Sequence, residues 1–104
     1  MSHKISLPYI TSASPSSDYT ISTYTGEEEI FLLTPSANIT VNLPAAANVD
    51  AGYKYQIKNL SASYTLTIDG NSSEEIDKST TFVLGSQFDS VTIFSNGSNE
   101  WFVI

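Results

Sequence analysis

Apolar and polar residues alternate along most of the chain. In NITVNL, Ile39, Val41 and Leu43 face one way and Thr40 and Asn42 the other. The same period of two runs through YKYQIKNL at 53–60, YTLTID at 64–69 and FDSVTIF at 88–94. Such alternation gives a strand one buried and one wetted face. No stretch places apolar residues at the spacing of a helix face. The best helix candidate, PAAANVDAG at 44–52, is short and Ala-rich, with Pro44 at its start and Gly52 past its end, and reads as one turn of helix or a loop. Short polar clusters punctuate the pattern: TPSAN at 34–38, NLSAS at 59–63, DGNSS at 69–73, GSQ at 85–87 and SNGSN at 95–99. Strands are therefore predicted near 18–24, 29–34, 38–43, 53–59, 64–69, 74–77, 80–84, 89–94 and 100–104.

Many short strands at such spacing predict an all-β fold, either an antiparallel β-sandwich or a jelly-roll-like small barrel. No fixed internal repeat is visible, which disfavours a solenoid. The first seventeen residues break the pattern. Ile5, Leu7, Tyr9 and Ile10 are apolar, Pro8 interrupts them, and the polar TSASPSS follows. Residues 1–17 are thus expected to be an extended N-terminal docking arm with a Ser/Thr-rich linker, and 18–104 the β-sandwich domain. The last strand is apolar on both sides. Trp101 and Val103 share one face and Phe102 and Ile104 the other, so Trp101, Phe102 and Ile104 are expected to meet another subunit.

Composition narrows the chemistry. The 104 residues suggest one domain, with only 14% charged and a formal net charge of −7 from eleven acids against four lysines. Without arginine, the chain lacks the forked donors that grip phosphate, and its charge is repelled by anionic surfaces. Neither nucleic acid nor a membrane is expected as a partner. The absence of cysteine removes disulfides, thiolate metal sites and thiol nucleophiles. No apolar run is long enough to span a membrane or serve as a signal peptide, so assembly in a cytoplasm is expected.

Candidate catalytic groups are few. His3 is the one histidine, and a side chain in a loose arm cannot hold catalytic geometry. The stretch TIDGNSSEEID at 67–77 spaces Asp69, Asn71 and Ser73 at alternate positions, as oxygen ligands are in calcium loops. It carries Glu74 where such a loop needs glycine and Thr80 where it needs a bidentate glutamate. It is read instead as a hairpin turn at Asp69–Gly70 followed by a charged edge strand, with cation binding by Asp69–Asp77 left open. An enzymatic role for Glu74, Glu75 and Asp77 is not expected, because a small β domain offers little cleft between paired carboxylates. No cofactor is expected. Glu27, Glu28 and Glu29 form a solvated run or a contact with a neighbouring subunit.

The order of motifs from Ile39 to Ile104 resembles a small β domain found in many bacteriophage virion proteins. A strand ending VNLP leads into an Ala-rich loop, then YQIKN, TLTIDG, EEID, an aromatic strand, SVTIFSNG and a closing WFVI. The resemblance implies a trimeric structural or attachment module of a virion, assembled in the host cytoplasm. With only an arm before it, the chain looks like a capsid decoration (cement) protein or head spike. The arm residues Ile5, Leu7, Pro8, Tyr9 and Ile10 would then dock on the major capsid protein or another virion protein. The alternative is a tail-fibre tip that recognises a host surface glycan.

Overall fold

The computed structural model describes residues 7–22 and 28–104. Ten strands form two sheets, alternating between them up to β9: β1 (Tyr9–Ala13), β2 (Tyr19–Thr20), β3 (Glu29–Leu33), β4 (Ile39–Asn42), β5 (Lys54–Asn59), β6 (Leu66–Asp69), β7 (Glu75–Ile76), β8 (Thr81–Leu84), β9 (Ser90–Ser95) and β10 (Glu100–Val103). A single 3-10 turn, Ala46–Asn48, occupies the Ala-rich segment. The first sheet has the order β1-β3-β5-β9-β10-β7 and the second β2-β4-β6-β8.

The fold is all-β, as expected, but its connectivity is not that of an antiparallel sandwich or jelly roll. β1, β3 and β5 run parallel in the first sheet, and β2, β4 and β6 run parallel in the second. The chain passes from one sheet to the other and back, so each coil lays a strand beside its predecessor in both sheets. This is a short β-solenoid, and the opposite sheet provides the crossover that parallel neighbours require. The winding then stops. β8 pairs antiparallel with β6, β9 antiparallel with β5, and β10 antiparallel with β9. Alternation in sequence reports which side of a strand is buried and is silent on the direction of its neighbour.

Coil lengths also differ. Tyr9 pairs with Glu29 after 20 residues, whereas Glu29 pairs with Tyr55 only after 26. That inequality hides the period. A trace of it survives in SPSSDYT at 14–20 and TPSANIT at 34–40. These turns stack: Ser36 N–H donates to the Pro15 carbonyl. Their acidic or amide residues do the same job one coil apart. Asp18 Oδ1 accepts from Thr40 N–H at 3.0 Å, and Asn38 Oδ1 accepts from Thr65 N–H at 2.9 Å. Each short polar side chain satisfies a backbone donor of the next coil.

Inward residues of both sheets form one core, including Phe31, Leu33, Tyr55, Ile57 and Ile93 from the first and Ile39, Val41, Leu66, Ile68 and Leu84 from the second. Aromatic rings stack through successive coils. Tyr19, Phe31, Tyr55 and Trp101 follow one another with centroids 6.2, 5.9 and 5.7 Å apart. These are the separations at which edge and tilted ring pairs attract beyond their buried area.

Candidate functional site

The segment expected to be a free arm is partly woven into the sheet. Tyr9–Ala13 is β1, the edge strand of the first sheet, in register with β3 from Tyr9–Glu29 to Ala13–Leu33. Tyr9 N–H donates to the Glu28 carbonyl at 2.7 Å, and Thr34 N–H to the Ala13 carbonyl at 2.9 Å. What remains of the expectation is exposure. Leu7 is 72% exposed, Tyr9 56% and Ile10 60%, with Pro8 exposed between them. Four consecutive residues rich in apolar surface thus stand at the open edge of the sheet. Ile5 and His3 lie outside the described residues, as does Glu27.

The three residues assigned to a subunit interface separate. Trp101 is wholly buried within its own chain, against Tyr55, and has no surface to offer a second copy. This corrects the expectation for that residue: its apolar character serves the aromatic stack. Its indole Nε1 is buried without a hydrogen-bond partner, a cost the packing must offset. Phe102 is half-buried on the outer side, with its ring 5.7 Å from that of Phe94, and Ile104 is 65% exposed.

The acidic stretch does not form a hairpin at Asp69–Gly70. β6 pairs with β8, and residues 70–80 form a longer excursion that carries β7 to the far edge of the first sheet, parallel to β10. Gly70 is required for space: a Cβ there would collide with the Glu74 carbonyl oxygen. The tight turn falls instead at Asp77–Lys78, whose φ values are 49° and 68°, as in a type I′ turn. Ile76 and Ser79 exchange backbone hydrogen bonds across it. The acids are spent on structure. Glu74 Oε1 accepts from Ala46 N–H at 2.9 Å, and Asp77 Oδ1 accepts from Val103 N–H at 3.0 Å. Among the described residues, no three acidic or histidine side chains converge as a metal site would need. Lys78 Nζ donates to Glu100 Oε2 at 2.6 Å, and that hydrogen bond, with the carboxylate's charge, raises the ammonium pKa above its ordinary value.

Glu29 follows a different course from the solvated run predicted for it. It is 1% exposed and accepts from the Tyr53 hydroxyl at 2.9 Å. Glu28 stays at the surface, 3.7 Å from Lys54 Nζ.

The turn signal GSQ at 85–87 falls in the loop at 85–89 between β8 and β9, but the conformation of Phe88 within it was not foreseen. Phe88 has φ 69°, a conformation bulky side chains avoid, and the residue is 58% exposed. Lys58 Nζ lies 5.8 Å from that ring's centroid and donates to the Phe88 carbonyl at 3.2 Å. The backbone holds this conformation through Phe88 N–H donating to the Asn59 carbonyl and Ser86 N–H to Asp89 Oδ2. A positive φ at phenylalanine has no signal in sequence.

On the outer side of the first sheet, a shallow recess of about 190 Å³ is lined by Ile30 and Leu32, Gln56 and Lys58, and Ser90 and Thr92. Gln56 Nε2 donates to Thr92 Oγ1 at 3.1 Å across its floor. No helix among the described residues is long and apolar enough to cross a membrane. No family model, curated protein or solved structure matches the chain.

Proposed function

We propose that the protein is a non-enzymatic structural component of a bacteriophage particle: a trimeric capsid decoration (cement) protein or head spike on the particle surface. The observation that carries this reading is the exposed apolar run Leu7-Pro8-Tyr9-Ile10 at an open sheet edge. Apolar side chains held outside the core of a small domain are available to a partner, here the major capsid protein or another virion protein. A protein that binds the assembled shell and not free coat subunits stabilises the shell by mass action. Three such segments on one trimer act together through effective concentration, so each need contribute only modest affinity. The order of motifs from VNLP to WFVI supports the same reading.

The test is deletion of residues 1–8, which leaves β1 in place; a longer cut would strip the edge of the sheet. The truncated protein is expected to remain folded and to lose binding to capsids. Undiminished capsid occupancy would refute the docking role.

Phe88 favours a second reading, a tail-fibre tip that recognises a host glycan. An exposed ring held at positive φ beside an ammonium group can stack on a sugar face. Copies per particle separate the two. A decoration protein covers the shell in large number, whereas a fibre tip is present in only a few copies.

A further inference from the structure

The outer faces of the two sheets differ in kind. The second sheet turns Thr40, Asn42, Thr67, Asp69 and Thr81 outward, with Val83 the exception. The first sheet turns out two separate apolar patches. One is Ile10 of β1 with Ile30 and Leu32 of β3. The other is Phe94 of β9, Phe102 of β10 and Ile104 just beyond it. Between them lies the polar strip of β5, where Gln56 and Lys58 border the recess.

Charge points to the same face. A chain of net charge −7 repels its own copies. Around the first sheet's outer side, however, three described acids, Glu28, Glu100 and its register partner Glu75, meet three lysines, Lys54, Lys58 and Lys78. Glu28 sits 3.7 Å from Lys54, and Glu100 is 2.6 Å from Lys78. Lys58 adds a further positive charge there. The remaining described acids lie elsewhere: Glu29 buried in the interior, Asp69 on the second sheet, Asp50, Glu74 and Asp77 toward one end, and Asp18 and Asp89 at the other. Two copies can therefore approach through this face without like-charge repulsion.

We infer that the outer face of the first sheet is where copies of this chain meet, the patch of Ile10, Ile30 and Leu32 on one copy packing against that of Phe94, Phe102 and Ile104 on the next. In the ring Ile10 is taken up by the neighbouring copy, and Leu7, Pro8 and Tyr9 remain for the capsid. Two unlike patches make a heterologous contact, and such contacts close into a ring when the rotation allows. Sheet faces arranged about the axis of a ring touch their neighbours at their sides, and their middles face the axis. Apolar flanks around a polar, hydrated strip fit that geometry. The number three rests on the function proposed above; the pairing of patches rests on the face alone.

The mass of the native protein in solution tests the inference. Light scattering at concentrations well above micromolar is expected to give about three times the 11.3 kDa chain. Ile30→Glu and Ile104→Glu each break one patch, and each is expected to give a folded monomer by circular dichroism. An equimolar mixture is expected to form a dimer and stop, because one intact contact remains and the ring cannot close. If Ile30→Glu fails to fold, Ile10→Glu carries the same test from a side chain that is 60% exposed. Val83→Glu on the second sheet is expected to leave the mass unchanged. A wild-type monomer or simple dimer overturns the inference, as do folded patch variants that keep the wild-type mass, or loss of assembly in Val83→Glu. A ring that ignores capsids removes the virion reading and leaves the contact standing; a monomer that binds capsids does the reverse.

Discussion

Asn59 closes the YQIKN motif, and its side chain is a test of how the coils are held in register. It is completely buried and makes three hydrogen bonds. Nδ2 donates to the carbonyls of Tyr64 at 2.9 Å and Leu84 at 3.1 Å, and Oδ1 accepts from Ser61 N–H at 2.9 Å. One amide thus ties the end of β5 to the turn before β6 and to the end of β8. In Asn59→Ala all three backbone partners lose their bond. Leu84 and Ser61 are buried and cannot recover it from water, while Tyr64 is partly exposed and can. At about 1–3 kcal/mol for each of the two stranded buried groups, the loss is about 2–6 kcal/mol. That is a large share of the roughly 5–15 kcal/mol that holds a domain folded. Asn59→Asp keeps the acceptor but turns a carboxylate oxygen toward two carbonyls. Burial and those neighbours raise the carboxyl pKa on folding, so this variant is expected to be least stable at neutral pH and to recover as pH falls and the group is protonated. Urea unfolding followed by the fluorescence of Trp101, the one tryptophan, reads both variants. A shift below about 1 kcal/mol for Asn59→Ala, with an unchanged denaturant slope, would refute the claim that this amide organises the turns.

Two further outcomes follow from particular contacts. Gly70→Ala places a methyl group against the Glu74 carbonyl, and neither backbone segment can yield cheaply. A loss of about 1–3 kcal/mol is expected in the same urea assay, and a neutral result would contradict the packing there. The Lys78–Glu100 pair holds the lysine's pKa above its ordinary 10.5. Its contribution is therefore complete below the unfolded-state pKa and fades as pH rises through the folded one. Wild type and Lys78→Gln are expected to differ in midpoint near neutrality and to converge at strongly alkaline pH; a gap that widens there would reverse the sign of the coupling.

Most of the strands were legible because their inward residues are large. Phe31 and Leu33, Val41, Ile57, Ile68 and Ile93 alternate with polar or half-buried neighbours, and that pattern places β3, β4, β5, β6 and β9 within a residue or two. β1 went unread for the opposite reason. Its inward residues after Tyr9 are only Thr11 and Ala13, while the larger Ile10 faces out. The parallel winding had a faint trace in the two S/T-P-S-x-D/N turns, obscured by six extra residues in the longer coil from Glu29 to Tyr55. Trp101 shows how far composition reaches. A final strand apolar on both sides does not say which face the chain buries; only the packing of its neighbours places Trp101 inward and leaves Ile104 exposed. The Asp-Gly pair at 69–70 carried a strong turn signal, yet the excursion of β7 places the sharp reversal at Asp77–Lys78, where strand pairing outweighs local preference.

The antiparallel return of β8, β9 and β10 gives the solenoid a direction. At that end the sheets are joined through the tight turn between β7 and β8, whose Ile76 and Leu84 are anchored in the core. At the other end β1 and β2 have, among the described residues, a neighbour on one side only and bury no side chain completely. A stack whose units are held by their neighbours frays where a neighbour is missing. The rungs first to loosen are therefore those beside Leu7, Pro8, Tyr9 and Ile10, and any partner gripping these residues also clamps the end from which the domain would unwind.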